Sequence, residues 1–184
     1  MQLIRSASAA RYAIERRQWT EATRLASIAN ALPQAFAITA WSRAVGFARS
    51  KQVGAARAET AQLKSAYEQM RAARDGYWAT QIHVQLNSAL AWINHAEGKD
   101  DEAAKLMRAA ADEEDAVEKL PVTPGAIVPA REQLGDLLLE SNRPADALKE
   151  FERALAMTPQ RRNALAGASR ASEMLAQSKA SKVN

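Results

Sequence analysis

Along most of this chain, apolar residues return every three or four positions, the spacing that keeps them on one face of a helix. The clearest case runs from Val128 to Arg161. Leu134, Leu137 and Leu138 make one apolar face. After a polar break at Ser141, Asn142 and Arg143, Ala147, Phe151, Ala154 and Leu155 make a second. Pro129 suits the first turn of a helix, where a missing N–H costs nothing. Asn142 falls where the first helix must stop, and Asn tolerates the left-handed backbone of a C-cap. Pro144 opens the second helix and Pro159 closes it, with Thr158 placed to cap the next.

The same periodicity predicts three earlier pairs of helices. Residues 3–31 read as a helix from Ile4 to Arg16, a turn at Arg17-Gln18, and a helix from Trp19 to Ala31. Residues 35–75 read as a second pair. Its first helix carries Ile38, Trp41, Val45 and Phe47, and its second runs from Val53 to Arg74, with Gly54, Ala55 and Ala56 allowing close packing. Asp75-Gly76 breaks the pattern. Residues 77–119 form the third pair, with Trp78, Ile82, Leu86, Leu90 and Ile93 on one face and Gly98 as C-cap. The stretch from Pro121 to Pro129 cannot be helical across its three prolines. Its Val122, Ile127 and Val128 predict that it packs. Residues 129–158 are the fourth pair. Residues 160–177 are a lone helix with Leu165, Ala168, Ala171 and Leu175, and residues 178–184 are a polar tail. The expected fold is all-α: one domain over residues 1–177, built of four antiparallel hairpins and a C-terminal capping helix.

The fourth hairpin resembles a tetratricopeptide repeat (TPR). Leu134-Gly135 stand at the family's Leu-Gly pair, and Leu138 at the large apolar position that follows. Asn142 replaces the turn glycine. Ala147, Phe151, Ala154 and Pro159 fall on the small, aromatic, small and proline positions. Arg131 stands where the family often has Trp. The third hairpin matches at Gly98, Ala103, Met107 and Ala110, with Asp115 in place of the proline. Trp19 and Ala22 match the start of a second helix in the first hairpin. The resemblance implies an α-solenoid of bacterial TPR type, whose first helices line a concave groove and whose terminal helix caps the stack.

Carried onto this sequence, the groove positions are Trp41, Val45 and Arg49 from the second hairpin. The third supplies Gln85, Ser88, Trp92 and His95, and the fourth Glu132, Asp136, Leu139 and Glu140. That set implies a groove with two aromatics and an acidic end. Trp41 and Trp92 also fit a purely core role. TPR clamps for acidic tails use Lys, Arg and Asn at these positions, whereas this chain has Glu132, Gln133 and Asp136. The implied partner is therefore a protein or peptide with apolar anchors and some basic character.

Composition changes this picture little. The 184 residues carry a formal charge of +4 and no cysteine, which excludes disulfides, thiolate metal sites and a Cys nucleophile. The charge is uneven: residues 1–76 hold 12 basic and 5 acidic side chains, residues 77–120 hold 4 and 9. A basic first half could attract nucleic acid, but no aromatic or Gly/Arg motif is interleaved, so a solvated Arg-rich surface is expected. The cluster Asp112, Glu113, Glu114, Asp115 and Glu118 near a helix C-terminus reads as a solvated face or as a contact for a cation or Arg. His83 and His95 fall about 120° apart on one helix and cannot share a metal. Neither a metalloprotease motif nor a phosphate-binding loop nor a nucleophile elbow is found. The expectation is a non-enzymatic protein–protein interaction scaffold without cofactor or metal. Self-association, as a homodimer or by docking within a longer TPR protein, is the alternative. With no leader or membrane-spanning run in view, the default compartment is cytoplasmic, with the periplasm as the alternative if the chain is part of a longer parent.

Overall fold

The computed structural model describes residues 1–117 and 126–181. Expectations for Glu118, Lys119, Pro121, Val122, Pro124 and the end of the tail lie outside the described residues. Within them the chain is all-α, with nine helices and no strand: α1 (Gln2–Glu15), α2 (Trp19–Thr23), α3 (Pro33–Arg49), α4 (Val53–Ala72), α5 (Gly76–Ala96), α6 (Asp100–Asp115), α7 (Ala130–Glu140), α8 (Pro144–Met157) and α9 (Arg162–Ala180). Helices pack on their neighbours in chain order from α1 to α9. The odd-numbered helices also pack on one another, α1 on α3, α3 on α5, α5 on α7 and α7 on α9. The described helices are too short or too polar to cross a membrane.

One backbone device closes five turns. Arg17, Lys51, Arg74, Gly98 and Asn142 all have positive φ, between 55° and 76°. In each case the next residue's N–H reaches back five residues: Gln18 to Ala13, Gln52 to Phe47, Asp75 to Met70, Lys99 to Asn94 and Arg143 to Leu138, at 2.8–3.0 Å. This is the Schellman closure, and glycine is its least strained occupant. Here glycine holds it once. Arg17 and Lys51, which occupy turns without a glycine, adopt the left-handed conformation anyway.

Small residues set the spacing of the rows. Ala22, Ala56, Ala103, Ala110 and Ala147 are fully buried at helix crossings, as are Leu134, Leu138 and Met107, and Ala154 is nearly so. At Gly46 an added Cβ would lie 2.8 Å from the Trp19 carbonyl oxygen, so α2 and α3 touch backbone to backbone. Phe151 is fully buried. Its ring lies against Gly135 of α7 and Gly167 of α9, neither of which has room for a side chain.

Three expectations are corrected, the first being that Thr158 caps the last helix: Arg161 holds the N-cap of α9 and no side chain caps it. The helix expected to run from Trp19 to Ala31 ends at Thr23. Beyond it, Arg43 donates to the Leu25 carbonyl and the Ser27 hydroxyl. Gln2 donates to the Asn30 carbonyl and accepts from the Leu32 N–H. Side chains thus satisfy backbone groups that a longer helix would have used. The register of α9 also differs. It buries Ala164, Gly167 and Ala171 and leaves Leu165 half exposed, because Phe151 already fills the space a large side chain would need.

Candidate functional site

The residues expected to line a groove do come together, and they are covered by each other. Trp41 of α3 is 2% exposed, and its indole N–H donates to Ser88 of α5 at 2.9 Å. Trp92 is 4% exposed and donates to Gln133 of α7 at 3.0 Å. Val45 and Leu139 are buried, and Gln85 is half-buried beside Ser88, whose hydroxyl donates to its carbonyl. The aromatic part of the expected groove is therefore core, as the packing reading of Trp41 and Trp92 requires.

The polar part is an ion-pair network. Arg49 lies over the ring of Trp92 at 4.3 Å and over Trp19 at 5.1 Å. It grips Glu140 with both terminal nitrogens at 2.5 and 2.6 Å. His95 bridges Asp100 at 2.6 Å and Glu140 at 3.3 Å. The Glu140 hydrogen bond, followed by the Asp100 carboxylate, raises the His95 pKa against the opposing effect of burial. Burial alone would raise Glu140, but His95 and Arg49 overcome it and hold that carboxyl down at about 2.

Asp136 receives two hydrogen bonds from Arg17, at 2.8 and 3.0 Å. It is mostly buried, with the carboxylates of Glu132 and Glu140 nearby, and burial wins over Arg17, pushing its pKa up to about 6. Glu132 is 1% exposed and is held by Arg161 at 2.6 Å. Arg161 also reaches Glu15 at 2.8 Å, and Asn163 donates to the same carboxylate at 2.9 Å. The expected acidic end of the groove is thus neutralised from both ends of the chain, by Arg17 before α2 and Arg161 before α9. That is the main correction to the charge pattern. The contributing residues Glu15, Arg17, Arg161 and Asn163 were not expected at the site. The only trace of them in the sequence is a pair of Arg doublets, 16–17 and 161–162, each at a turn.

The acidic cluster on α6 is an Arg contact. Asp112 and Asp115 bind Arg131 at 2.7 and 2.5 Å, and Arg131 also reaches Glu150 of α8 at 3.1 Å. Burial would lower the Arg131 pKa, but these carboxylates keep it raised and the side chain charged. Glu114 accepts from the N–H of Ala130 at the start of α7, and Glu113 pairs with His83 at 2.7 Å. This cluster joins α6 to α7 and α8.

One part of the row of odd-numbered helices stays open. A cleft of about 530 Å³ lies between the end of α1 and helices α7 and α9. Its walls carry Glu15, Arg16, Arg17, Asp136, Arg162, Asn163 and Arg170, and Leu139, Ala166 and Gly167 supply its apolar surface. Comparison with family models, curated proteins and solved structures finds no match to this chain.

Proposed function

We propose that this chain is a TPR-like α-solenoid of four hairpins and a capping helix. In this reading it works without chemistry of its own, as a protein–protein interaction module. The alternation of helices into an odd and an even row supports the architecture, as do the five turns of one kind and the small residues at the crossings. The observation that carries the binding reading is the open cleft between α1, α7 and α9. It sits where the covered inner row ends, and its volume suits a few side chains of an extended segment. In this reading the partner contacts Ala166 and the cleft wall beside Asp136 and Leu139, while Trp41, Ser88 and Trp92 are core rather than contact residues.

A photo-crosslinking amino acid at position 166, inside the cleft, tests this against the same group at exposed position 61 on α4. In the native extract a discrete protein adduct is expected at 166 and absent at 61. No adduct at 166, or the same adducts at both, refutes the reading. The second reading is structural: self-association or docking onto a neighbouring part of a longer protein. It is favoured by one observation, that the inner row is already filled by its own side chains. Light scattering across a dilution series decides for it if a dimer forms and position 166 crosslinks only to a second copy.

A further inference from the structure

We infer that the cleft between α1, α7 and α9 takes an acidic, partly apolar peptide segment; this rests on the protein-binding reading and names its chemistry. The inference comes from which charges in the cleft are already matched. Both carboxylates of its wall are engaged. Glu15 accepts from Arg161 at 2.8 Å and from Asn163 at 2.9 Å, and Asp136 accepts from Arg17 at 2.8 Å. A cationic ligand would have to break these pairs to gain anything. Three arginines of the wall have no carboxylate partner among the described residues. Arg16 only covers the ring of Tyr12, at 5.0 Å, and Arg162 and Arg170 make no ion pair. Arg162 also opens α9, whose first N–H groups lack a side-chain cap and add partial positive charge to the same space. Guanidinium groups in a concave wall bind carboxylates with two parallel hydrogen bonds, more strongly than on a flat surface. Exposed Ala166, with the edge of the nearly buried Leu139, gives the cleft an apolar surface for the same segment.

Nucleic acid fits the cleft less well. Single strands bind by stacking bases on exposed aromatics. Trp41 and Trp92 are buried and Arg49 lies over Trp19, while the exposed Tyr12 does not line the cleft. The expected partner thus has the opposite charge to the one implied by Glu132 and Asp136 read from sequence, because the fold neutralises both.

The test uses the full chain and fluorescence anisotropy with three labelled probes: a short Glu/Leu peptide, a Lys/Leu peptide of the same length, and a single-stranded oligonucleotide of the same net charge as the acidic peptide. The acidic peptide is expected to bind, more weakly as salt rises. The double variant Arg162→Glu/Arg170→Glu should weaken it by about tenfold or more. Lys64→Glu, an exposed charge reversal on α4, should leave it unchanged. Circular dichroism should show both variants folded, since these side chains are exposed. Absence of acidic-peptide binding overturns the inference, as does equal weakening by Lys64→Glu or tighter binding of the oligonucleotide. A protein adduct at position 166 together with Lys/Leu binding alone would overturn the acidic chemistry and leave the interaction reading standing.

Discussion

Replacing Gly167 by Ala should be among the most damaging single-methyl changes in this molecule, and the structure says why. A Cβ at 167 would run into the Phe151 ring at Cζ, closer than any real contact. The ring cannot retreat. It is fully buried, and Gly135 also crowds it, since a Cβ there would lie 2.7 Å from Cε1. Overpacking of this kind costs about 1–3 kcal/mol, and the absence of an escape direction puts Gly167→Ala near the upper figure. Against that, Ala is favoured over Gly inside a helix by about 1 kcal/mol. The net loss should be about 2 kcal/mol. Phe151→Leu alone should cost about 1–2 kcal/mol by leaving a cavity. In the Phe151→Leu background, however, the clash is gone and the helix preference of Ala is expressed, so Gly167→Ala becomes neutral or favourable. Urea unfolding of the four proteins, followed by circular dichroism, gives the coupling, expected at about 2–3 kcal/mol. Additivity within about 0.5 kcal/mol would refute the three-helix contact among α7, α8 and α9.

Three further outcomes follow from single groups. Asp136 binds its proton more tightly when folded, its pKa lying near 6 rather than at the ordinary carboxylate value. Its contribution to stability therefore falls as pH rises from about 4 to 6. Asp136→Asn should flatten thermal stability across that window, yet keep the acid loss below about pH 4.5 that comes from Glu140, whose folded pKa is low. Arg131→Met should cost about 3 kcal/mol in urea unfolding. It leaves buried Glu150 with only Arg153 and Arg108, at 3.5 and 3.8 Å, and a loss under about 1 kcal/mol would mean that those two suffice. Lys51→Gly should raise stability by about 1 kcal/mol, because Lys51 holds φ 59° with an exposed side chain. No change in unfolding midpoint would show that the turn carries no strain.

The fold was legible where physics is local. Pro144, Ala147, Phe151 and Ala154 state a helix start and one face of α8 within a single stretch, and α8 runs from Pro144 to Met157 with Ala147, Phe151 and Ala154 buried. The turn positions were legible as breaks, even though Arg17 and Lys51 are poor occupants, because the helices on either side fix where the reversal must fall. The short α2 was not, since its limit comes from Gln2 and Arg43 capturing backbone groups of residues 25–32. Nor was the charge pairing around α7. Arg17 and Asp136 are 119 residues apart, and Arg161 and Glu15 are 146 apart. Periodicity along one helix carries no information on such pairs.

Those long-range pairs divide the charged side chains of the odd-numbered helices and their turns into two parts with different consequences. Where Arg17, Arg49 and Arg161 meet Asp136, Glu140 and Glu132, each charge is matched within the chain. Substitutions there remove a partner from a buried or half-buried group, so they act on stability. Where matching runs out, at Arg16, Arg162 and Arg170, the side chains are exposed. Substitutions there cost little fold energy and change the charge of the cleft wall. Affinity and stability should therefore separate cleanly by position. Arg49→Ala should lower the unfolding midpoint. It should leave acidic-peptide affinity nearly intact at temperatures where the chain stays folded. Arg170→Glu should do the reverse. If both variants lower affinity and stability in the same proportion, the cleft is only a readout of overall folding, and the division drawn between its paired and unpaired arginines fails.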